Sequence, residues 1–249
     1  MRDGVGDPNP KIYGQLCVSN PEVMEALAQQ VLKALRAAPD PQIVSVTQND
    51  NQRYCQCPRC MEIINAEGSP AGPLLLLVNY VADAVKKEFP DVKVETLAYQ
   101  YTRKAPKTIR PHDNVVIRLC SIECDFSKPL DSDANASFRD DVRAWSEIAP
   151  ELAIWNYVTN FANFLLPHPN LRNLAGDIRF FQQHRGVALF EQGDFLSGDE
   201  VGDFVAMRAW VLAQLLWDSS QDFDTLVNEF LKGYYGAAAP YLRQYLDLL

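Results

Sequence analysis

The feature that most constrains this chain is an alternation of short apolar, β-branched runs with longer stretches of helical periodicity. Six runs read as buried strands: residues 14–19 (GQLCVS), 43–49 (IVSVTQN), 93–99 (KVETLAY), 115–121 (VVIRLCS), 152–156 (LAIWN) and 186–191 (GVALFE). Between them lie amphipathic segments. Residues 21–37 place apolar side chains at 23, 24, 27, 28, 31, 32 and 35, with Asn20 as N-cap and Pro21 at the first helical position. Residues 72–89, 135–148 and 171–184 follow the same pattern, and only helices are expected at 201–217 and 221–248. Such alternation predicts parallel strands joined by right-handed helical crossovers.

The spacing of the strand starts suits a (β/α)8 barrel of TIM type better than a doubly wound sheet, because no G-x-G-x-x-G turn follows the first strand. Six strands are two short of closure, so the expectation is an incomplete barrel followed by C-terminal helices. The domain division that follows is a barrel portion at 1–200 and a helical segment at 201–249 packing on it. Composition narrows the function classes. Hydrophobic residues make up 47% and charged residues 22%, enough for a packed core. The net charge of −9 and pI near 4.8 argue against a nucleic-acid partner, which a basic surface would mark. The longest apolar run, 74–78, is far below the roughly 20 residues of a membrane span. The opening MRDGVGDPNP has neither the charge nor the apolar stretch of an export signal.

Sites in parallel α/β folds collect at the carboxyl ends of the strands. Here those ends carry Gln48, Asn49 and Asp50, then Tyr99 and Tyr101, Glu123 and Asp125, Trp155 and Asn156, and Glu191. Rings, amides and carboxylates together suit a carbohydrate ligand. Asp50 is the candidate general acid/base and Asn49 a donor beside it; the plain structural alternative is an Asx-rich turn. Tyr99, Tyr101, Trp155, Asn156 and Glu191 are the candidate sugar-binding residues. A Cys55-x-Cys57-x-x-Cys60 motif follows five residues after Asp50. Three thiolates there, with Cys124 or Cys120 as a fourth, would make a structural zinc site; a disulfide and buried thiols are the other two readings. No nucleophile elbow or P-loop pattern occurs, and His112, His168 and His184 have no metal spacing.

The strings QLCVSNPEV, SVTQNDNQRYCQCPRC and ETLAYQYT, with the LWD…FLKGYYG tail, resemble a bacterial family first catalogued as domain of unknown function 4838. The resemblance covers nearly the whole chain. It implies a (β/α)8 barrel related to glycoside hydrolase family 163, with endo-β-N-acetylglucosaminidase activity on complex N-glycans. It also implies substrate-assisted retention, in which the 2-acetamido oxygen is the nucleophile and no catalytic cofactor is needed. Asn49 would then orient the acetamido group and Asp50 act as acid/base. Tyr99 or Tyr101 would contact the oxazolinium-like intermediate, Trp155 would floor the sugar pocket, and Glu191 would bind hydroxyls. With 43–49 as the fourth strand, the six runs become strands three to eight, and two N-terminal barrel units of a parent chain are the expected missing partners. An extracytoplasmic or cell-surface setting is implied for such a parent. The alternative from another class is a barrel that binds carbohydrate, or serves structurally, without turnover.

Overall fold

The computed structural model describes residues 14–194 and 202–249. In chain order the elements are α1 (Pro21–Ala37), β1 (Ile43–Ser45), α2 (Pro58–Glu67), α3 (Ala71–Glu88), β2 (Lys93–Ala98), β3 (Val115–Cys120), α4 (Ala136–Ile148), β4 (Glu151–Tyr157), α5 (Leu174–Gln183), β5 (Gly186–Gln192), α6 (Val205–Trp217), α7 (Phe223–Phe230) and α8 (Ala239–Leu248). The strands form one sheet in the order β1-β2-β3-β4-β5. β1 runs parallel to β2 with Val44 opposite Val94, and β2 parallel to β3 with Thr96 opposite Ile117. Each strand's neighbour is the next in sequence: α2 and α3 join β1 to β2, α4 joins β3 to β4 and α5 joins β4 to β5, whereas β2 and β3 are joined without an α-helix.

The overall class is therefore α/β, but the six strands expected of an incomplete (β/α)8 barrel are not what the chain builds. The sheet has five strands among the described residues, in an open order compatible with part of a barrel and not with a closed one. The missing sixth strand is the predicted 14–19 run. Only Leu16 makes a β-bridge there, and residues 18–19 form a turn closed by Asn20 N–H donating to the Cys17 carbonyl (3.0 Å). Its side chains explain the failure, since Cys17 and Ser19 turn toward other thiols rather than lying on a pleat. The predicted 43–49 strand is likewise shortened to three residues. Past Ser45, the Thr47 hydroxyl accepts from the Leu97 N–H (3.3 Å) and the Gln48 amide donates to the Tyr99 carbonyl (3.0 Å), so side chains replace the backbone ladder. The other four strands fall within a residue or two of expectation.

The described residues divide into two compact units, 14–121 with 141–154 and 185–188, and 122–140 with 155–184 and 189–194, 202–249. The boundary expected at residue 200 lies outside the described residues. In the first unit, α3 is the central helix. Val78, Val81, Ala82 and Val85 are completely buried on it, as are Val94 on β2 and Ile117 and Leu119 on β3. The apolar run at 74–78 thus belongs to a buried core helix. In the second unit, Leu174 and Ile178 of α5 join Met207, Val211 and Leu215 of α6 and Leu226 and Val227 of α7 in one apolar cluster. The predicted helix at 221–248 is broken here. α7 ends in a π-helical turn at Leu231–Tyr235, and Gly236 takes a positive φ of 54° before α8 begins.

Candidate functional site

Two groups of side chains at strand ends merit attention, one in each unit. In the first unit, Asn49 and Asp50 sit in the loop after β1, both exposed. One Asp50 carboxylate oxygen accepts from the Tyr99 hydroxyl at 3.2 Å, and that hydroxyl accepts in turn from the Gln100 amide at 2.9 Å. Burial, then the Asp50 charge, pushes the Tyr99 phenol up to about 12. It therefore remains a donor across the whole neutral range. Asn49 gives one side-chain N–H to the Gly14 carbonyl at 3.1 Å.

Tyr101 is two residues from Tyr99 but does a different job. Its ring stacks on Tyr54 with centroids 5.1 Å apart and planes 26° from parallel. It lines a cavity of ≈ 200 Å³ together with Gln15, Gln48, Asn49 and, on the apolar side, Leu74 and Leu77. Burial raises its hydroxyl well above the usual phenol range. The separation of the two tyrosines follows from the 3₁₀ turn at Gln100–Thr102, entered through a positive φ of 49° at Gln100.

Three residues without an assigned role in the sequence reading hold this loop in place. The Thr102 hydroxyl donates to the Gln48 side-chain oxygen (2.6 Å), so the ends of β1 and β2 are joined twice through Gln48. Gln15 is buried and spends its whole amide on the loop. Its nitrogen donates to the carbonyls of Asn49 and Asn51, both at 2.7 Å, and its oxygen accepts from the Asn49 N–H at 2.9 Å. A polar residue inside an apolar run was the signal available for Gln15, and an amide at a strand end was the signal for Gln48.

Next to Gln15 lies the cysteine set. The Sγ atoms of Cys17, Cys55, Cys57 and Cys60 all lie within 4.8 Å of one another. Cys17 is 3.6 Å from Cys57 and 4.0 Å from Cys60. This corrects the expected fourth member. Cys124 follows β3 in the second unit and does not join the set, nor does Cys120, whose thiol is turned to the Arg118 carbonyl at 3.9 Å. None of the six cysteines is disulfide-bonded, so the disulfide reading of the motif is not realised. The motif also opens a helix that the sequence reading overlooked. Cys57 is the N-cap of α2, with Pro58 in the first turn, and its sulfur accepts from the Cys60 N–H at 3.5 Å. That hydrogen bond brings the Cys57 thiol down to about 6, whereas burial pushes Cys60 up to about 12.

In the second unit the pairings join β4 to β5. Asn156 is buried and donates to the Glu191 carboxylate at 2.9 Å; the Trp155 indole N–H donates to the Gln192 side-chain oxygen at 2.7 Å. Trp155 meets Phe190 edge-on at 5.0 Å and lies near-parallel to Tyr157 at 6.4 Å. The apolar residues preceding Glu191 are not the core residues they resemble, since Val187 is 62% and Phe190 44% exposed. Desolvation pushes the Glu191 carboxyl up to about 7; the Asn156 hydrogen bond opposes this and the charge of Asp177 adds to it. Asp177 is itself held at about 7 by burial, although the Leu130 N–H donates to it at 2.9 Å. Asp125 is a turn residue, its carboxylate accepting from the Ser127 N–H and hydroxyl at 3.0 and 2.6 Å.

No helix among the described residues is long and apolar enough to cross a membrane. The family model described as "Domain of unknown function (DUF4838)" matches residues 5–247. No curated protein matches the chain.

Proposed function

Because the chain belongs to the DUF4838 family, whose match spans almost its full length, we propose a function for it from its own residues: a glycoside hydrolase that cleaves β-N-acetylglucosaminide linkages in glycans, with Asp50 as acid/base. The observation that carries this reading is the Tyr99 hydroxyl donating to the exposed Asp50 carboxylate at 3.2 Å. A general acid must reach the leaving oxygen while its own orientation is held. Asp50 meets both conditions, being open to a ligand on a loop that Gln15 and Gln48 tie down.

In the proposed reaction the carboxylic-acid form of Asp50 gives its proton to the glycosidic oxygen as the C1–O bond breaks. The substrate's own 2-acetamido oxygen closes on C1, so no enzyme carboxylate serves as nucleophile. Asn49 steadies the acetamido group by accepting its N–H at the side-chain oxygen, while its own N–H holds the Gly14 carbonyl. Asp50, now ionised, takes a proton from water as that water opens the oxazolinium ring, and the β configuration returns. No catalytic metal or cofactor enters these steps. The Trp155, Asn156 and Glu191 group lies in the other compact unit and is given no step in this reaction.

The test is hydrolysis of a glycopeptide bearing a chitobiose core. Loss of a general acid costs about 10²–10⁴-fold, so Asp50→Asn should lower kcat/KM by that much. A rate within a few-fold of wild type removes Asp50 from the role. A second reading, sugar binding without turnover, draws on the engagement of the Asn49 side chain with the Gly14 carbonyl (3.1 Å). Calorimetric binding of the glycan with no product after prolonged incubation would select it.

A further inference from the structure

We propose that Cys17, Cys55, Cys57 and Cys60 together bind one zinc ion, and that this four-thiolate site fixes the root of the loop carrying Asn49 and Asp50. The geometry is the first argument. Zinc holds thiolates at about 2.3 Å in a tetrahedron, which sets the sulfur–sulfur edge near ~3.8 Å. The Cys17–Cys57 and Cys17–Cys60 separations of 3.6 and 4.0 Å bracket that edge, and all four sulfurs fall within 4.8 Å of one another. Buried thiols that act only as small apolar groups disperse among aliphatic neighbours. Four sulfurs within 4.8 Å of one another match the spacing of ligands around a single ion.

The surroundings are the second argument. Thiolate ligands need donors around them, and such partners orient the ligands as well as offsetting their charge. The Ser19 hydroxyl stands 3.0 Å from the Cys60 sulfur and is buried with it; the Cys60 N–H is 3.5 Å from the Cys57 sulfur. Cys57 and Cys60 also sit on the first turn of α2, where the helix dipole favours negative charge. Four sulfur donors in a tetrahedral set suit zinc or iron, and zinc is the ion proposed.

The consequence for the loop follows from connectivity. Cys17 is the only ligand outside the 55–60 motif, and it lies two residues from Gln15, whose amide clasps Asn49 and Asn51. A metal that ties Cys17 to Cys55, Cys57 and Cys60 therefore holds the clasp against the loop it grips. This inference stands on the thiols alone and is independent of the reaction assigned to Asp50.

The experiment is elemental analysis of the purified full chain, without added metal, alongside Cys17→Ser and Cys124→Ser. About one zinc per chain is expected in the wild type and in Cys124→Ser, with background zinc in Cys17→Ser. Zinc at background in the wild type, iron in its place, or loss in Cys124→Ser but not Cys17→Ser would overturn the assignment. Should Cys17→Ser fail to fold, cobalt(II) titration of the apo wild type decides. Charge-transfer intensity for four thiolates with tetrahedral d–d bands supports the site, and a spectrum for three or fewer refutes it. Amide exchange at residues 49–51 reads the clamp directly. Metal removal should accelerate it at least tenfold, and unchanged exchange would show that the ion does not fix the loop.

Discussion

Among the described residues, the Tyr99 phenol is what orients the Asp50 carboxylate. A neutral donor bonded to a carboxylate contributes about 1.5–3 kcal/mol when shielded from water, and solvent weakens it at an exposed site such as this one. Tyr99→Phe should accordingly lower kcat/KM by about three- to tenfold while the thermal midpoint stays close to wild type. Steady-state kinetics and a melting curve on the same sample check both halves. An unchanged kcat/KM would mean that Tyr99 does not position Asp50. Glu191 offers a second residue-scale prediction, because its carboxyl is pushed up to about 7 from an ordinary 4.5. Below the ordinary value folded and unfolded chains are both protonated there and no stability is lost. As pH rises from 4.5 to 7 the unfolded chain ionises first, so folding loses up to about 3 kcal/mol from this group. Glu191→Gln keeps the shape and cannot titrate. Its stability relative to wild type should rise between pH 4.5 and about pH 8, as denaturant titration at the two pH values would measure; a constant difference would contradict the raised carboxyl. Asp177 acts in the same direction, and because its charge raises the Glu191 carboxyl the measured difference includes the coupling between the two.

At the scale of elements, the caps were the most legible part of the sequence. Asn20 accepts from the Glu22 N–H at 2.8 Å with Pro21 behind it, as a helix start in that composition requires. Asn20→Ala should destabilise the fold by about 1 kcal/mol, measured by chemical denaturation, and a neutral effect would show that α1 does not depend on its cap. The strand predictions at 93, 115, 152 and 186 held because those runs pair through their backbones. The run at 14–19 did not, because its alternation is produced by Gln15, Cys17 and Ser19 pointing at specific partners and not by a pleat. Periodicity cannot distinguish these two causes. α2 was hidden for a related reason: a motif read as a ligand loop is also a helix N-terminus, with Cys57 serving as cap and thiol at once. The fourth thiol, Cys17, is separated from its partners by 38 residues or more, a distance in sequence that no local spacing rule bridges.

Over the whole molecule, the alternation of strands and helices correctly indicated a parallel α/β sheet, while the count of strands misled. Five strands in sequential order make an open sheet among the described residues, and the sixth strand expected of the incomplete barrel, at 14–19, is a turn. The candidate site was legible as residue types at strand ends. Its organisation was not, because Gln15, Gln48 and Thr102 act through side-chain hydrogen bonds between segments far apart in sequence. What unites the account is the claim that this chain turns over an N-acetylglucosaminide through Asp50 with the substrate's own acetamido group as nucleophile. Time-resolved proton NMR of chitobiose-core glycopeptide cleavage tests it most directly, since the anomer released first records the stereochemistry before mutarotation blurs it. The account predicts the β-anomer first from the wild type and no product from Asp50→Asn on the same timescale. The α-anomer appearing first, or no cleavage by the wild type, would contradict it.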